Sequence, residues 1–165
     1  MQPSKEETFD LKKYEKVKKL FFNDKIRYYE IVNQQTRQKY IGKIWKKNLN
    51  DFRKKKILDL YREVYILSKI HHPSFLQFIG FSLSDFKSES KPVIVFEHIS
   101  KGPLSLILNL QDDKIYFETT EDDENAFKLN ETQKLILIYG IASGMSYLHS
   151  HDIIHRNLNP SCIFF

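Results

Sequence analysis

The sequence predicts an α+β domain in which an antiparallel sheet with one helix is followed by a mainly helical segment. Strand-like segments precede the first helical pattern, two apolar runs separated by a polar loop follow it, and a longer helical pattern lies near the C-terminus. Of the 165 residues, 41% are hydrophobic and 28% are charged. This composition suits one globular domain and excludes global disorder.

The first half has the pattern of a five-stranded sheet with one helix. The predicted elements are three strands within residues 14–45, a helix at 51–70, and two further strands at 75–83 and 92–99. The strands are rich in β-branched and aromatic residues. In the helix, Leu60, Val64 and Leu67 share one side, which predicts that this side packs against the sheet.

The second half is expected to be helical around a charged insertion. A short apolar helix is predicted at 104–110, and a long helix follows Asn130, which together with Gln133 has the spacing of a capping box. Between the two helices, residues 112–125 include seven acidic residues and are expected to form a solvated loop. Residues 1–13 are expected to be a flexible N-terminus.

Charge is divided unevenly along the chain. The formal net charge is +5, with +10 in residues 1–70 and −5 in residues 71–165. A basic half favours anionic partners, but clusters such as Arg53–Lys56 lack interleaved stacking aromatics. We therefore interpret these clusters mainly as solvated helix faces and expect nucleic acid to be an unlikely partner.

Several classes of protein are disfavoured by composition. No run approaches the ~18 to 20 apolar residues of a membrane helix, and the N-terminus lacks the apolar core of a secretion signal. The single cysteine, Cys162, cannot form an internal disulfide, and no Cys/His cluster has metal-ligand spacing. We expect a cytoplasmic protein, with the nucleus as the alternative, and no membrane association.

The most specific motif lies near the C-terminus. Residues 147–160 read YLHSHDIIHRNLNP, which resembles the end of helix E and the catalytic loop of eukaryotic protein kinases, normally YLH..IIHRDLKP. The resemblance implies a kinase small lobe with helix C, ending in the hinge, at residues 14–99. It implies a partial large lobe at 100–165, with helix D, helix E and a catalytic-loop remnant. The phrases IASGMSYLH and HPSFLQFIGFS are most similar to the tyrosine-kinase-like group, whose members mostly phosphorylate Ser or Thr.

The resemblance also assigns residues to a nucleotide site. Lys43, in the segment YIGK, and Glu63 correspond to the ion pair that holds the α and β phosphates. A structural salt bridge between sheet and helix is an equal alternative. Phe96 has the gatekeeper position, and the segment from Glu97 to Ile99 corresponds to the hinge.

Two features of this site predict that it does not accept a nucleotide. The expected phosphate loop, residues 21–26, contains no glycine, and side chains there block the approach of backbone N–H groups to phosphates. Tyr28, Ile41 and Phe164 replace the smaller Val, Ala and Leu of the family and add volume to the adenine pocket. By resemblance the cofactors would be ATP and magnesium, but we predict that neither is bound.

The catalytic loop departs from the family at three positions. After His155 and Arg156, Asn157 replaces the Asp that accepts the substrate proton, and a neutral amide cannot act as that base. Asn159 replaces the usual Lys. Cys162 replaces the Asn that binds magnesium and is predicted not to bind it, because Mg²⁺ prefers oxygen; we expect a buried structural thiol there rather than a reactive one.

The leading hypothesis is a catalytically inactive kinase-family domain, a pseudokinase or fragment, that acts as an interaction module. The sequence ends at Phe165, before any D-F-G segment. One apolar side of the 131–149 helix, with Leu135, Ile138, Met145 and Leu148, is therefore expected to be partly exposed until a protein partner covers it. The first alternative is an active Ser/Thr kinase within a longer product, and the second is a basic-surface binder of nucleic acid or anionic surfaces.

Overall fold

The computed structural model describes residues 9–100, 102–108, 116–117 and 129–164. Its strands are β1 (Tyr14–Phe22), β2 (Ile26–Asn33), β3 (Lys39–Trp45), β4 (Phe78–Ser82), β5 (Val93–Glu97) and β6 (Tyr116–Phe117), and its helices are α1 (Lys54–Lys69), α2 (Leu104–Ile107) and α3 (Glu131–Ser150). Short 3₁₀ turns occupy Leu11–Lys13, Leu49–Asp51 and Pro160–Cys162. The five predicted strands and the helix between the third and fourth are confirmed.

The strands form one antiparallel sheet in the order β4-β5-β3-β2-β1-β6. The apolar sequence of β5 follows from its position, because both of its faces are covered. Val93 and Val95 face one hydrophobic cluster, whereas Ile94 and Phe96 face a second cluster beneath α1. Leu60, at 3% exposure, anchors α1 in that second cluster.

The N-terminal segment differs from the expectation of flexibility through residue 13. Leu11 is buried at 8% exposure, and Phe9 packs against the same cluster as Ile31 and Val95. The sequence pattern did not indicate this because the flanking residues are polar. Residues 1–8 lie outside the described part of the chain.

The insertion between α2 and α3 also differs from the expected loop. Tyr116 and Phe117 pair antiparallel with Phe22 and Phe21, so two residues of the acidic segment extend the sheet beyond β1. The other residues of 112–125 lie outside the described residues, as do residues 109–110 of the helix predicted at 104–110.

Helix α3 begins at the predicted cap and packs closely at Gly144 against the segment between α1 and β4. A Cβ on Gly144 would lie 3.2 Å from the Cβ of Ser74, whereas Gly140 has no such close neighbour. Leu135 and Ile138 are exposed as expected, at 66% and 62%, but Leu148, which was expected to be partly exposed, is buried at 2%.

Candidate functional site

Lys43 and Glu63 form an ion pair between the sheet and α1. The Lys43 Nζ lies 2.5 Å from the Glu63 Oε1 and 4.8 Å from the centre of the Trp45 ring. Burial by itself lowers the pKa of Lys43, but the attraction of Tyr28 and Glu63 outweighs it, so the pKa of Lys43 is raised. The ammonium group is therefore held in its charged form by groups of the protein itself.

A stack of three aromatic rings lies on the same side of the sheet as Lys43. Phe21 and Tyr28 are partners in the β1–β2 register, and their ring centroids are 4.3 Å apart at an interplanar angle of 25°. The Phe164 ring lies 6.2 Å from that of Phe21 at 29°. Burial raises the pKa of the Tyr28 hydroxyl. The stack joins the sheet to the end of the described chain.

Backbone hydrogen bonds hold Phe164 in position. Phe164 forms an antiparallel bridge with Pro103, and the Leu104 N–H donates to the Ile163 carbonyl at 2.7 Å. The segment that carries Phe164 is therefore fixed against the start of α2.

The β1–β2 turn is closed by a side chain. Asn23 Oδ1 accepts hydrogen bonds from the backbone N–H groups of Lys25 at 2.9 Å and Ile26 at 2.8 Å. The Asn23 N–H itself donates to the Ile26 carbonyl at 2.9 Å. The N–H groups of Asn23, Lys25 and Ile26 are consequently satisfied within the turn.

The end of β5 is held by Gln77. Glu97 accepts a hydrogen bond from the Gln77 N–H through Oε1 at 2.8 Å, and the Glu97 N–H donates to the Gln77 carbonyl at 3.0 Å.

Three further sequence-predicted site residues lie at the cluster beneath α1. Phe96, at 9% exposure, and Ile41, at 2%, belong to this cluster, and Ile99 packs against it.

The loop after α3 is held by hydrogen bonds among its own polar residues. The Asn157 N–H donates to His155 Nδ1 at 3.3 Å, and Asn157 Nδ2 donates to Cys162 Sγ at 3.6 Å. Asn159 Nδ2 donates to the Asn157 carbonyl at 3.1 Å and to Asn157 Oδ1 at 3.2 Å. Arg156 is exposed and has a positive φ of 63°.

Asn159 also begins the following 3₁₀ turn. Its Oδ1 accepts from the Ser161 N–H at 2.9 Å, as an N-cap residue does. Cys162 in that turn is partly buried, and burial raises the pKa of its thiol despite a hydrogen bond with Asn159 and the nearby charge of Lys43. A raised pKa disfavours the nucleophilic thiolate.

An apolar cavity of about 470 Å³ lies next to Phe164, the last ring of the stack. It is bounded by Leu67 of α1, Phe96 of β5, Met145 of α3, and His155 and Phe164 of the final segment. Phe164 thus contributes both to the stack and to the wall of this cavity.

The described residues contain neither a cluster of potential metal ligands nor a helix suited to cross a membrane. Within 9–100, 102–108, 116–117 and 129–164, no group of three or more His, Cys, Asp or Glu side chains is placed to hold a metal ion. In the same part of the chain, no helix has the length and apolar character needed to cross a membrane.

Comparison with known proteins identifies the family. The profile described as "Protein tyrosine and serine/threonine kinase" matches residues 25–164. The chain belongs to the protein kinase family. Its sheet with α1 is the kinase small lobe with helix C, and α3 with the loop after it is similar to helix E and the catalytic loop.

Relatives include both tyrosine and serine/threonine kinases. The chain is 33% identical over 103 residues to the tyrosine-protein kinase receptor svh-2 of Caenorhabditis elegans, covering 62% of this chain and 8% of that protein. It is 36% identical over 113 residues to the serine/threonine-protein kinase TNNI3K of Mus musculus, which covers 67% of this chain and 12% of that protein. It is 37% identical over 111 residues to the putative serine/threonine-protein kinase/receptor R826 of Acanthamoeba polyphaga mimivirus, which covers 65% of this chain and 6% of that protein. The matched region is thus a small part of each relative.

The structure brings some of the sequence-predicted site residues together: Lys43 pairs with Glu63, and Phe96, Glu97, His155, Cys162 and Phe164 line one cavity. Tyr28 and Cys162 both lie near Lys43, whose positive charge opposes the effect of burial on the pKa of each, and the Phe164 ring stacks on Phe21 beside Tyr28. Sequence reasoning did not find the role of Trp45. The available signal was the two-residue spacing from Lys43, which places both side chains on one face of β3.

Proposed function

We propose that this chain is a catalytically inactive kinase-family domain that acts through interaction with other proteins. The observation that carries the proposal is the stack of Phe21, Tyr28 and Phe164 in the cleft. A purine ring requires a flat apolar slot of its own, and well-packed aromatic side chains that fill such a slot must be displaced before it can bind.

The β1–β2 turn supports the same proposal. In a phosphate-binding loop, free backbone N–H groups point at the anion. Here the N–H groups of Lys25 and Ile26 already donate to Asn23 Oδ1, and binding a phosphate would require breaking those bonds. The Lys43–Glu63 pair fits a structural role and a phosphate-holding role equally well. The turn, by contrast, does not fit the phosphates of ATP.

The catalytic loop supports inactivity independently of nucleotide binding. Asn157 carries an amide where the family has a carboxylate base, and its donor group is directed to Cys162 Sγ. Asn159 is used to cap a 3₁₀ turn instead of neutralising a phosphate. The thiol of Cys162 is not an oxygen ligand of the kind that Mg²⁺ prefers, and the nearby Asn157 Oδ1 already accepts a hydrogen bond from Asn159 Nδ2. The residues present therefore do not fit a magnesium ion.

Thermal denaturation with millimolar ATP, with and without magnesium, tests nucleotide binding. A ligand that binds only the folded state at a hundredfold excess over its Kd stabilises by about 2.7 kcal/mol, so binding would raise the Tm. We expect no shift for the wild type. The variant Phe21→Ala with Phe164→Leu opens the stack, and Phe81→Ala serves as a matched aromatic change outside the cleft. A saturable shift in the wild type would overturn the proposal.

Radiolabel transfer from ATP to a generic Ser/Thr protein substrate tests catalysis. We expect no transfer above a Lys43→Ala control, because loss of the base and of charge-compensating groups removes many powers of ten in rate. Asn157→Asp alone is expected not to restore transfer. Transfer by the wild-type chain would favour the alternative of an active Ser/Thr kinase within a longer product.

The interaction role is supported by helix α3. Its exposed apolar residues are Leu135, Ile136, Ile138 and Tyr139, each between 62% and 76% exposed. Exposed apolar surface of this extent on one helix is typical of a protein-binding face. A hydrophobic dye such as ANS should bind the wild type more strongly than a Leu135→Ser/Ile138→Ser variant, and equal binding would argue that α3 is not an open apolar face.

A further inference from the structure

Helix α1 carries an exposed apolar stripe on the side that faces away from the sheet. Leu58 is 57% exposed, Tyr61 46% and Tyr65 66%. Their spacing of three and four residues places them on one side of the helix. The stripe covers about two helical turns, or roughly 10 Å. Burial of Leu60 on the opposite side already fixes α1 to the sheet, so the stripe is not needed for that packing.

The stripe continues onto β4. The rings of Tyr61 and Phe81 meet edge to face with centroids 6.4 Å apart. Leu83, two residues beyond Phe81, is 44% exposed. Because β4 is an edge strand of the sheet, the apolar surface formed by α1 and β4 has an open side.

Basic side chains border this surface. Lys54, Lys55, Arg62 and Lys69 are exposed and lie on the same outward side of α1 as Leu58 and Tyr65. Lys69 Nζ lies 5.8 Å above the Tyr65 ring. The acidic residues of α1 are Asp59, which lies 3.9 Å from Arg62, and Glu63, which is turned to Lys43. The border of the stripe is therefore strongly positive.

We propose that this face, defined as Leu58, Tyr61 and Tyr65 with their basic border, docks an acidic amphipathic helix of a partner protein. Such a helix presents apolar anchors at intervals of three or four residues over a similar length. Acidic residues beside its anchors would match the positive border, which increases the association rate and suppresses uncharged or basic competitors. The proposal concerns the outward side of α1, opposite the side that carries Glu63, and does not depend on catalytic inactivity.

Charge selects this occupant over two others. In a symmetric dimer of the chain through α1, each basic border would meet its copy, and like charges oppose that contact. A nucleic acid would use the positive charges, but it would leave the apolar stripe, and Leu58 in particular, without complementary contacts.

Selection from a displayed library of random peptides of about 16 residues provides the probe. The folded wild-type chain is the target, and the Leu58→Ser/Tyr65→Ser variant is used for counter-selection. Because both residues are exposed, we expect this variant to keep the wild-type circular dichroism and Tm. Selected peptides are expected to carry net negative charge and apolar residues at three- and four-residue spacing.

The affinity of one synthesised peptide then tests the face directly by fluorescence anisotropy. Loss of central apolar anchors commonly weakens binding by about tenfold or more, which we expect for Leu58→Ser/Tyr65→Ser. The matched variant on the other exposed helix, Leu135→Ser/Ile138→Ser, should change the Kd by less than about twofold. Arg62→Glu/Lys69→Glu should also weaken binding and reduce its salt dependence.

Three outcomes would overturn the proposal. The first is that no peptide binds in a way that depends on Leu58 and Tyr65. The second is that the peptides selected on this face lack net negative charge. The third is that sedimentation shows a dimer of the chain that the Leu58→Ser/Tyr65→Ser change dissociates, which would make a second copy the occupant.

Discussion

The Lys43 ammonium and the Glu63 carboxylate lie 2.5 Å apart, although the first belongs to β3 and the second to α1. The Lys43 side chain is 15% exposed and that of Glu63 is 39% exposed. The pair therefore lies at the edge of the cluster beneath α1, where it connects the helix to the sheet without being fully removed from water. Trp45 contacts the same ammonium group from within the sheet.

Removing Glu63 should destabilise the fold because Lys43 would lose its counter-charge while remaining mostly buried. We expect Glu63→Ala to lower the free energy of unfolding by about 1 to 2 kcal/mol, a value reduced by the exposure of the carboxylate. Urea denaturation measures it. Arg62→Ala, one position along α1 and exposed, should cost less than about 0.5 kcal/mol. Equal losses in the free energy of unfolding for Glu63→Ala and Arg62→Ala would mean that the Lys43–Glu63 ion pair makes no specific contribution to stability.

Gly80 of β4 provides space for Phe9. A Cβ at position 80 would overlap the Phe9 ring, so Gly80→Ala must displace that ring from the sheet. We expect a loss of about 1 to 3 kcal/mol in the free energy of unfolding, the usual range for overpacking, measured by urea denaturation.

A double-mutant cycle separates this clash from other effects of the added methyl group. In a Phe9→Ala background the clash is absent, so Gly80→Ala should cost much less than in the wild type. Additive costs in the cycle would show that Phe9 does not occupy the space above Gly80 in solution.

Much of the sheet could be predicted from local sequence patterns. The run from Val93 to Phe96 is apolar at every position, which is typical of a strand covered on both faces. The helical spacing of Leu60 and Val64 correctly placed the buried side of α1. These signals depend only on residues close in sequence, so they can be recognised without knowledge of tertiary contacts.

Long-range contacts could not be predicted in the same way. The packing of Phe9 on Gly80 joins residues far apart in the chain, and no periodicity connects them. The pairing of Tyr116 with Phe22 adds a strand from a segment whose acidic composition indicated a loop. Family resemblance did place Lys43 beside Glu63, but it carried no information on the contact between Lys43 and Trp45.

The capping box of α3 allows a direct test of a local signal. Asn130 Oδ1 accepts from the Gln133 N–H at 2.8 Å, and Gln133 Oε1 accepts from the Asn130 N–H at 3.0 Å. Asn130→Ala should lower the free energy of unfolding by about 1 kcal/mol, whereas Asn130→Asp should keep the cap. Chemical denaturation of both variants measures the difference. Equal losses would show that the cap does not contribute to stability.

Glu30 predicts a pH dependence of stability. Its carboxylate lies 3.0 Å from Lys39 Nζ and 3.3 Å from His98 Nε2, and it is 13% exposed. Burial by itself raises the pKa of Glu30, but the hydrogen bonds and charges of Lys39 and His98 outweigh it, so the pKa is lowered. The folded protein therefore binds a proton at Glu30 less readily than the unfolded chain does.

The sign of this effect follows from the lowered pKa. Glu30 stabilises the fold fully above its unfolded pKa of about 4.3, and the contribution is lost as the pH falls through the lower folded pKa. Glu30→Gln should therefore destabilise by about 1 kcal/mol at pH 7, with the difference from wild type shrinking below about pH 4. Urea denaturation at a series of pH values measures this. Glu15→Gln, which removes the more exposed partner of Arg37, should have little effect at any pH. A Glu30→Gln difference that stays constant into acid would show that the carboxylate charge is not the source of the stabilisation.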